Sequence, residues 1–178
     1  MHKDIESILA SEKQIKEIVE RIAGQIDKDY EGKDLLLVGV LKGSICFMSD
    51  IMKQMKKDCK IDFVVVSSYG NSTESAGTVN VVKDVSQSVA GKDIIIIEDI
   101  IDSGNTLNFL VKYFEAKEAS SVKIATLFDK PDRRKVEIPV DYVGMKIPDA
   151  FIVGYGLDYA ENYRTLPYVG ILKPSVYS

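Results

Sequence analysis

Histidine is almost missing: among 178 residues only His2 is present, near a chain end expected to fray, so histidine triads and histidine-rich metal sites are excluded. Cysteine is scarce too, with Cys46 inside an apolar stretch where a thiol commonly serves as core filler, and Cys59 apart from it. No disulfide is expected. No run reaches the roughly 18 apolar residues that a membrane-spanning helix needs. The stretch after Asp4 is charged and amphipathic where a secretory leader would be apolar, and the expectation is a cytoplasmic protein. Basic charge is also in deficit: 23 Lys and Arg against 27 Asp and Glu leave a net charge of −4. That balance argues against nucleic acid or a membrane surface as a partner, although a small anion could still be held locally. The chemistry must therefore rest on carboxylates, lysines, hydroxyls and backbone amides.

What is present is an ordinary globular composition, 46% apolar and 28% charged, on a length that predicts one domain spanning 1–178. Ser11-Glu12-Lys13-Gln14 has the form of a capping box, and Ile15, Ile18, Val19, Ile22 and Ile26 follow at helical spacing. Leu35-Leu36-Leu37-Val38-Gly39-Val40 is a continuous apolar run, the pattern of a strand buried on both faces. Ile45, Phe47, Met48, Ile51, Met52 and Met55 then predict a second helix. Residues 61–67 and 78–82 read as a hairpin around a small, polar loop. Ile94-Ile95-Ile96-Ile97 is the strongest strand signal; a helix through Leu107, Leu110, Val111 and Phe114 and a strand over 122–128 complete a crossover. Three short runs, 142–145, 151–153 and 169–172, are interrupted by Pro139, Pro148 and Pro167 and are expected to form a cap. The fold class is thus α/β, a mostly parallel sheet flanked by helices with a hairpin lid loop and a small terminal hood.

In such sheets ligands bind beyond the carboxyl ends of the strands. One of those ends reads Ile94-Ile95-Ile96-Ile97-Glu98-Asp99-Ile100-Ile101-Asp102-Ser103-Gly104-Asn105-Thr106. Small hydroxyl residues opening a helix offer free N–H groups and a favourable dipole to a phosphate. The neighbouring acids suit sugar hydroxyls, a hydrated Mg²⁺ or a proton. The plain alternative is a capped helix with solvated acids beside it. Neither Lys42-Gly43 nor Gly91-Lys92 has the first glycine that a Walker A loop requires, and Gly154-Tyr155-Gly156 lacks the third glycine of a dinucleotide fingerprint.

The thirteen-residue string resembles the motif by which type I phosphoribosyltransferases bind phosphoribosyl pyrophosphate (PRPP). The resemblance implies that Glu98 and Asp99 face the ribose hydroxyls and a metal, and that Asp102, Ser103, Gly104, Asn105 and Thr106 hold the 5′-phosphate. Asp102 would be the catalytic base. Lys42-Gly43-Ser44 resembles the pyrophosphate loop of the hypoxanthine-guanine branch, with Arg164 a second pyrophosphate contact. Lys130, Phe151, Ile152 and Asp158 resemble its base-recognition residues: Lys130 donating to the purine O6, Phe151 stacking, Ile152 offering backbone, Asp158 a Mg²⁺ ligand.

The likeness runs over residues 4–172 and is nearest to bacterial members. It implies Mg²⁺ as cofactor; PRPP with hypoxanthine or guanine as substrates; IMP or GMP with pyrophosphate as products; and a homodimer or homotetramer. Residues 68–77 are the candidate lid, with Ser68 and Tyr69 its ligand-facing members. A competing expectation is a non-catalytic regulator of the same fold that binds PRPP as a signal, but it would need a basic nucleic-acid-binding element, and none is seen. An adenine enzyme is disfavoured because a lysine aimed at the 6-position matches an oxo acceptor, not an amino donor.

Overall fold

The computed structural model describes residues 1–69 and 78–177. Ser11 opens helix α1 (Glu12–Asp29): the Gln14 N–H donates to Ser11 Oγ at 3.3 Å and the Ser11 N–H to Gln14 Oε1 at 2.9 Å, the reciprocal box expected. Its stripe of Ile15, Ile18, Val19, Ile22 and Ile26 is buried, each side chain contributing about 1.5–3 kcal/mol gross of entropy.

Two central strands, β2 (Leu35–Leu41) and β5 (Asp93–Ile101), carry continuous apolar runs, 35–41 and 94–97, for a simple reason: both faces are covered there. Leu35, Leu37, Ile95 and Ile97 pack with α1 and with α2 (Ile45–Gln54). Leu36, Val38, Ile94 and Ile96 pack with Leu107, Leu110 and Phe114 of α3 (Asn105–Ala116) on the other side. With β3 (Lys60–Tyr69), β4 (Thr78–Lys83), β6 (Ser121–Asp129) and β7 (Tyr142–Lys146), the six strands lie in the order β4-β3-β2-β5-β6-β7. All neighbours are parallel except β3 and β4, the expected hairpin. The parallel direction brings the carboxyl ends of β2, β5 and β6 to one edge.

Three expectations change. The run at 142–145 is not part of the cap; it is the edge strand β7, parallel to β6. The flanking prolines bound that strand without breaking it, the Tyr142 hydroxyl donates to Asp29 Oδ2 at 2.8 Å, and Gly144 passes so near the Leu127 carbonyl that a Cβ would collide with it. An N-terminal strand, β1 (Ile5–Ala10), was not foreseen. It pairs antiparallel with β9 (Val169–Leu172), which pairs with β8 (Ile152–Val153), so the hood is a three-stranded sheet made from both ends of the chain. Two register shifts in β1 bury only Ile5 and Ala10 and hide the alternation. Finally, β5 does not end at Ile97: pairing with β6 continues through Glu98–Thr126 to Ile101–Asp129, so Glu98 and Asp99 are strand residues. A short helix, α4 (Pro174–Tyr177), follows the hood. Among the described residues no helix is long and apolar enough to cross a membrane.

Candidate active site

Residues 102–104 connect β5 to α3. Gly104 has φ 84°, the left-handed conformation that glycine adopts without strain, and α3 carries no acidic residue in its first turn to compete for the amides. The turn is held from behind: Lys135 and Val136 donate their N–H groups to the Ser103 carbonyl at 2.9 and 3.2 Å. In front lies a cavity of about 160 Å³ lined by Glu98, Asp102, Ser103, Gly104 and Thr106. Asn105 is outside that lining; its N–H contacts Ser103 Oγ at 3.4 Å.

A second cavity of about 460 Å³, a volume suited to a small ligand, is lined by Lys130, Phe151, Ile152, Asp158 and, again, Asp102. Asp102 and Ile100 are common walls of the two cavities. Lys130 is placed by its backbone, whose N–H donates to the Ile101 carbonyl at 3.0 Å. Its ammonium is 3.5 Å from Asp149 Oδ1; Arg133 Nη1 is 3.5 Å from Asp149 Oδ2, and Arg133 Nε donates to Asp102 Oδ1 at 3.1 Å. The pocket is therefore edged by a chain of alternating charge, Lys130, Asp149, Arg133, Asp102.

The loop after β2 faces this edge from the other side. Ser44 is buried, its hydroxyl donating to the Val40 carbonyl at 2.6 Å, and the Leu41–Lys42 peptide is cis. Gly43 lies between two neighbours that leave no room for a side chain: a Cβ on Gly43 would overlap the Asp99 carboxylate, and one on Gly156 would overlap the Gly43 carbonyl. Lys42 and Arg164, 122 positions apart in the chain, meet on one carboxylate. Lys42 Nζ donates to Glu161 Oε2 at 3.0 Å and Arg164 Nη2 lies 3.4 Å from Glu161 Oε1. Contact with Lys42 holds the Glu161 carboxyl below its usual range. Arg164 also donates to the Gly156 carbonyl at 2.7 Å and pairs with Asp158 at 2.8 Å.

Glu98 and Asp99 are both buried, and neither is salt-bridged to Lys or Arg among the described residues. Burial, and then the Asp99 charge, push Glu98 well above the usual carboxylate range; burial also raises Asp99. Two buried carboxylates lacking a cation fit a hard divalent ion, which takes oxygen ligands and readily keeps substrate oxygens and water. Among the described residues no group of three or more acidic, Cys or His side chains is placed to hold a metal, and both Asp158 oxygens are engaged, by Arg164 and by the Glu161 N–H at 2.9 Å.

Three residues at this edge went unrecognised in the sequence: Arg133, Asp149 and Glu161. Nothing in their spacing marks them, because their partners are distant in the chain. Of the lid, Ser68 and Tyr69 are the last backbone positions of β3, paired with Val79 and Thr78; their side chains and residues 70–77 lie outside the described residues.

Known proteins share this fold. The model of the phosphoribosyl transferase domain matches residues 6–160. Hypoxanthine-guanine phosphoribosyltransferase of Bacillus subtilis (strain 168) is 52% identical over 177 residues, covering 99% of this chain and 98% of that protein. The bifunctional protein TilS/HprT of Listeria monocytogenes is 52% identical over the whole chain, which spans only 28% of that longer protein. A crystal structure of a hypoxanthine phosphoribosyltransferase from Staphylococcus aureus superposes with a TM-score of 0.96 at 50% identity, covering 100% of this chain and 97% of that one.

Proposed function

The chain belongs to the phosphoribosyltransferase family, and from that premise we propose that it salvages purines, transferring the 5-phosphoribosyl group of PRPP to hypoxanthine or guanine with release of pyrophosphate. The observation that carries the reading is Asp102, the ionisable residue among the two walls common to the smaller cavity at the turn and the larger one beside Lys130 and Phe151. A nucleotide with its phosphate on the turn at 102–106 and its base against Phe151 passes Asp102 on the way.

Breaking the bond from ribose C1 to pyrophosphate leaves an oxocarbenium-like sugar and a charged leaving group, as in glycosyl transfer generally. The N–H groups around Gly43, with Lys42 and Arg164, face the developing charge on pyrophosphate and stabilise it from a preorganised frame. Glu98 and Asp99 accept hydrogen bonds from the ribose hydroxyls. Glu98 and Asp99 are also the residues that would hold Mg²⁺, which would supply neutralisation of charge on the pyrophosphate. Lys130, buried and aimed by its backbone, donates to the purine O6, while Phe151 stacks on the ring and Ile152 meets its edge through main-chain atoms. Asp102 takes the proton from N7, which raises electron density at N9 where the new bond forms; a positioned base of this kind contributes about 10²- to 10⁴-fold in rate. Arg133, half-exposed, holds Asp102 until the purine arrives.

The test is to incubate the protein with PRPP and Mg²⁺ and, separately, with hypoxanthine, guanine, xanthine and adenine, measuring pyrophosphate release. Release with hypoxanthine and guanine and not adenine supports the reading. PRPP binding without release for any base would identify the non-catalytic regulator.

A further inference from the structure

The 460 Å³ cavity has a wall that the proposed base contacts do not account for: Tyr177 of α4 lines it together with Phe151. The two rings are stacked, centroids 4.8 Å apart and planes 22° from parallel. Tyr159 braces both, edge-on to Phe151 at 5.4 Å and 89° and to Tyr177 at 6.4 Å and 67°. The cluster is not ordinary core, since Phe151 and Tyr177 are each 38% exposed. Both rings line the cavity, so their exposed surface is available to a ligand held there.

A phenyl ring on a loop can turn about its side-chain torsions, and a base stacking on it must first fix that ring. The Tyr177 stack does this beforehand. Tyr177 stacks on Phe151 and Tyr159 packs perpendicular to it, so the Phe151 ring is held in a set plane where it lines the cavity. α4 is itself tied to the hood, with Val176 packed on the cluster of Ile5, Val153 and Leu172. We propose that Tyr177 is a positioning residue of the base site, fixing the plane of the Phe151 ring and hence the orientation in which a purine is held. This rests on the functional reading above. Tyr177 touches no group whose charge changes during transfer, so its influence falls on base affinity and not on PRPP or the chemical step.

Aromatic pairs of this geometry are worth enough to change affinity by about two- to tenfold. The variants are Tyr177→Ala and Tyr177→Phe, the second keeping the ring and losing only the hydroxyl. For Tyr177→Ala the expected result is a KM for hypoxanthine raised about two- to tenfold, with kcat and the KM for PRPP within a factor of two of the parent. Tyr177→Phe should match the parent. Calorimetric titration with inosine monophosphate is the second readout, expected to weaken by the same factor in Tyr177→Ala alone. An unchanged or lower KM and an unchanged nucleotide affinity in Tyr177→Ala would overturn the proposal, as would equal losses in both variants. Failure of the parent protein to turn over any base would instead count against the functional reading, and the titration would still decide the role of Tyr177.

Discussion

Gly43 and Asp99 touch: the carboxylate lies where a Cβ on Gly43 would stand. The glycine is needed for proximity, because it lets the loop after β2 close on the acidic pair of β5. Gly43→Ala should therefore displace either the loop or the acids. Overpacking of this kind costs about 1–3 kcal/mol, and the expected outcome is a lower Tm together with a fall of at least about tenfold in kcat/KM for PRPP. Steady-state kinetics beside thermal unfolding would check both. A variant with unchanged kcat/KM would show that the contact is incidental.

Asp102 stands between two cavities and is held by Arg133 at 3.1 Å. Asp102→Asn keeps the shape and removes the ability to take a proton. Turnover should fall about 10²- to 10⁴-fold while PRPP affinity stays within a few-fold. Single-turnover kinetics with equilibrium binding separates the two quantities.

Glu161 occupies Lys42 and Arg164 at once, two cations assigned here to pyrophosphate. An incoming pyrophosphate group must displace it. Exposed pairs are weak, so Glu161→Ala should lower the KM for PRPP modestly, by about two- to fivefold, with little change in kcat. A raised KM would mean that Glu161 helps to hold the cations in place and does not compete for them.

Asp62 of β3 supports a stability prediction away from the site. Burial pushes its carboxyl up, but donation from the Ser86 hydroxyl at 2.8 Å, from the Ser86 N–H at 2.7 Å and from the Phe63 N–H at 2.8 Å outweighs burial and holds it below the usual range. A depressed carboxylate stabilises the fold above its unfolded value of about 3.9 and loses that contribution as pH falls through the folded value. Asp62→Ala strands these donors and should cost about 1–3 kcal/mol at pH 7. The gap in stability between parent and variant, followed by urea unfolding, should narrow only below about pH 4.

How much of this was legible beforehand follows from how far apart the interacting residues lie. The capping box at Ser11 and the run of four isoleucines at 94–97 act over a few residues and over two covered faces, so composition and spacing reveal them. The small-residue turn that opens α3 was readable for the same reason. β1 was hidden because only Ile5 and Ala10 are buried in it, and β7 because its prolines lie just outside the strand. The partnership of Lys42 with Glu161, of Asp102 with Arg133 and of Phe151 with Tyr177 depends on chain reversal through the sheet and hood. No local pattern encodes such meetings.

The most direct measurement is a crystal structure of the protein soaked with inosine monophosphate. The account predicts the phosphate on the amides and hydroxyls of Ser103, Gly104 and Thr106, the purine against Phe151 with O6 at Lys130, and Asp102 turned from Arg133 to N7. A nucleotide lodged elsewhere, or bound with Asp102 remote from its base, would contradict it.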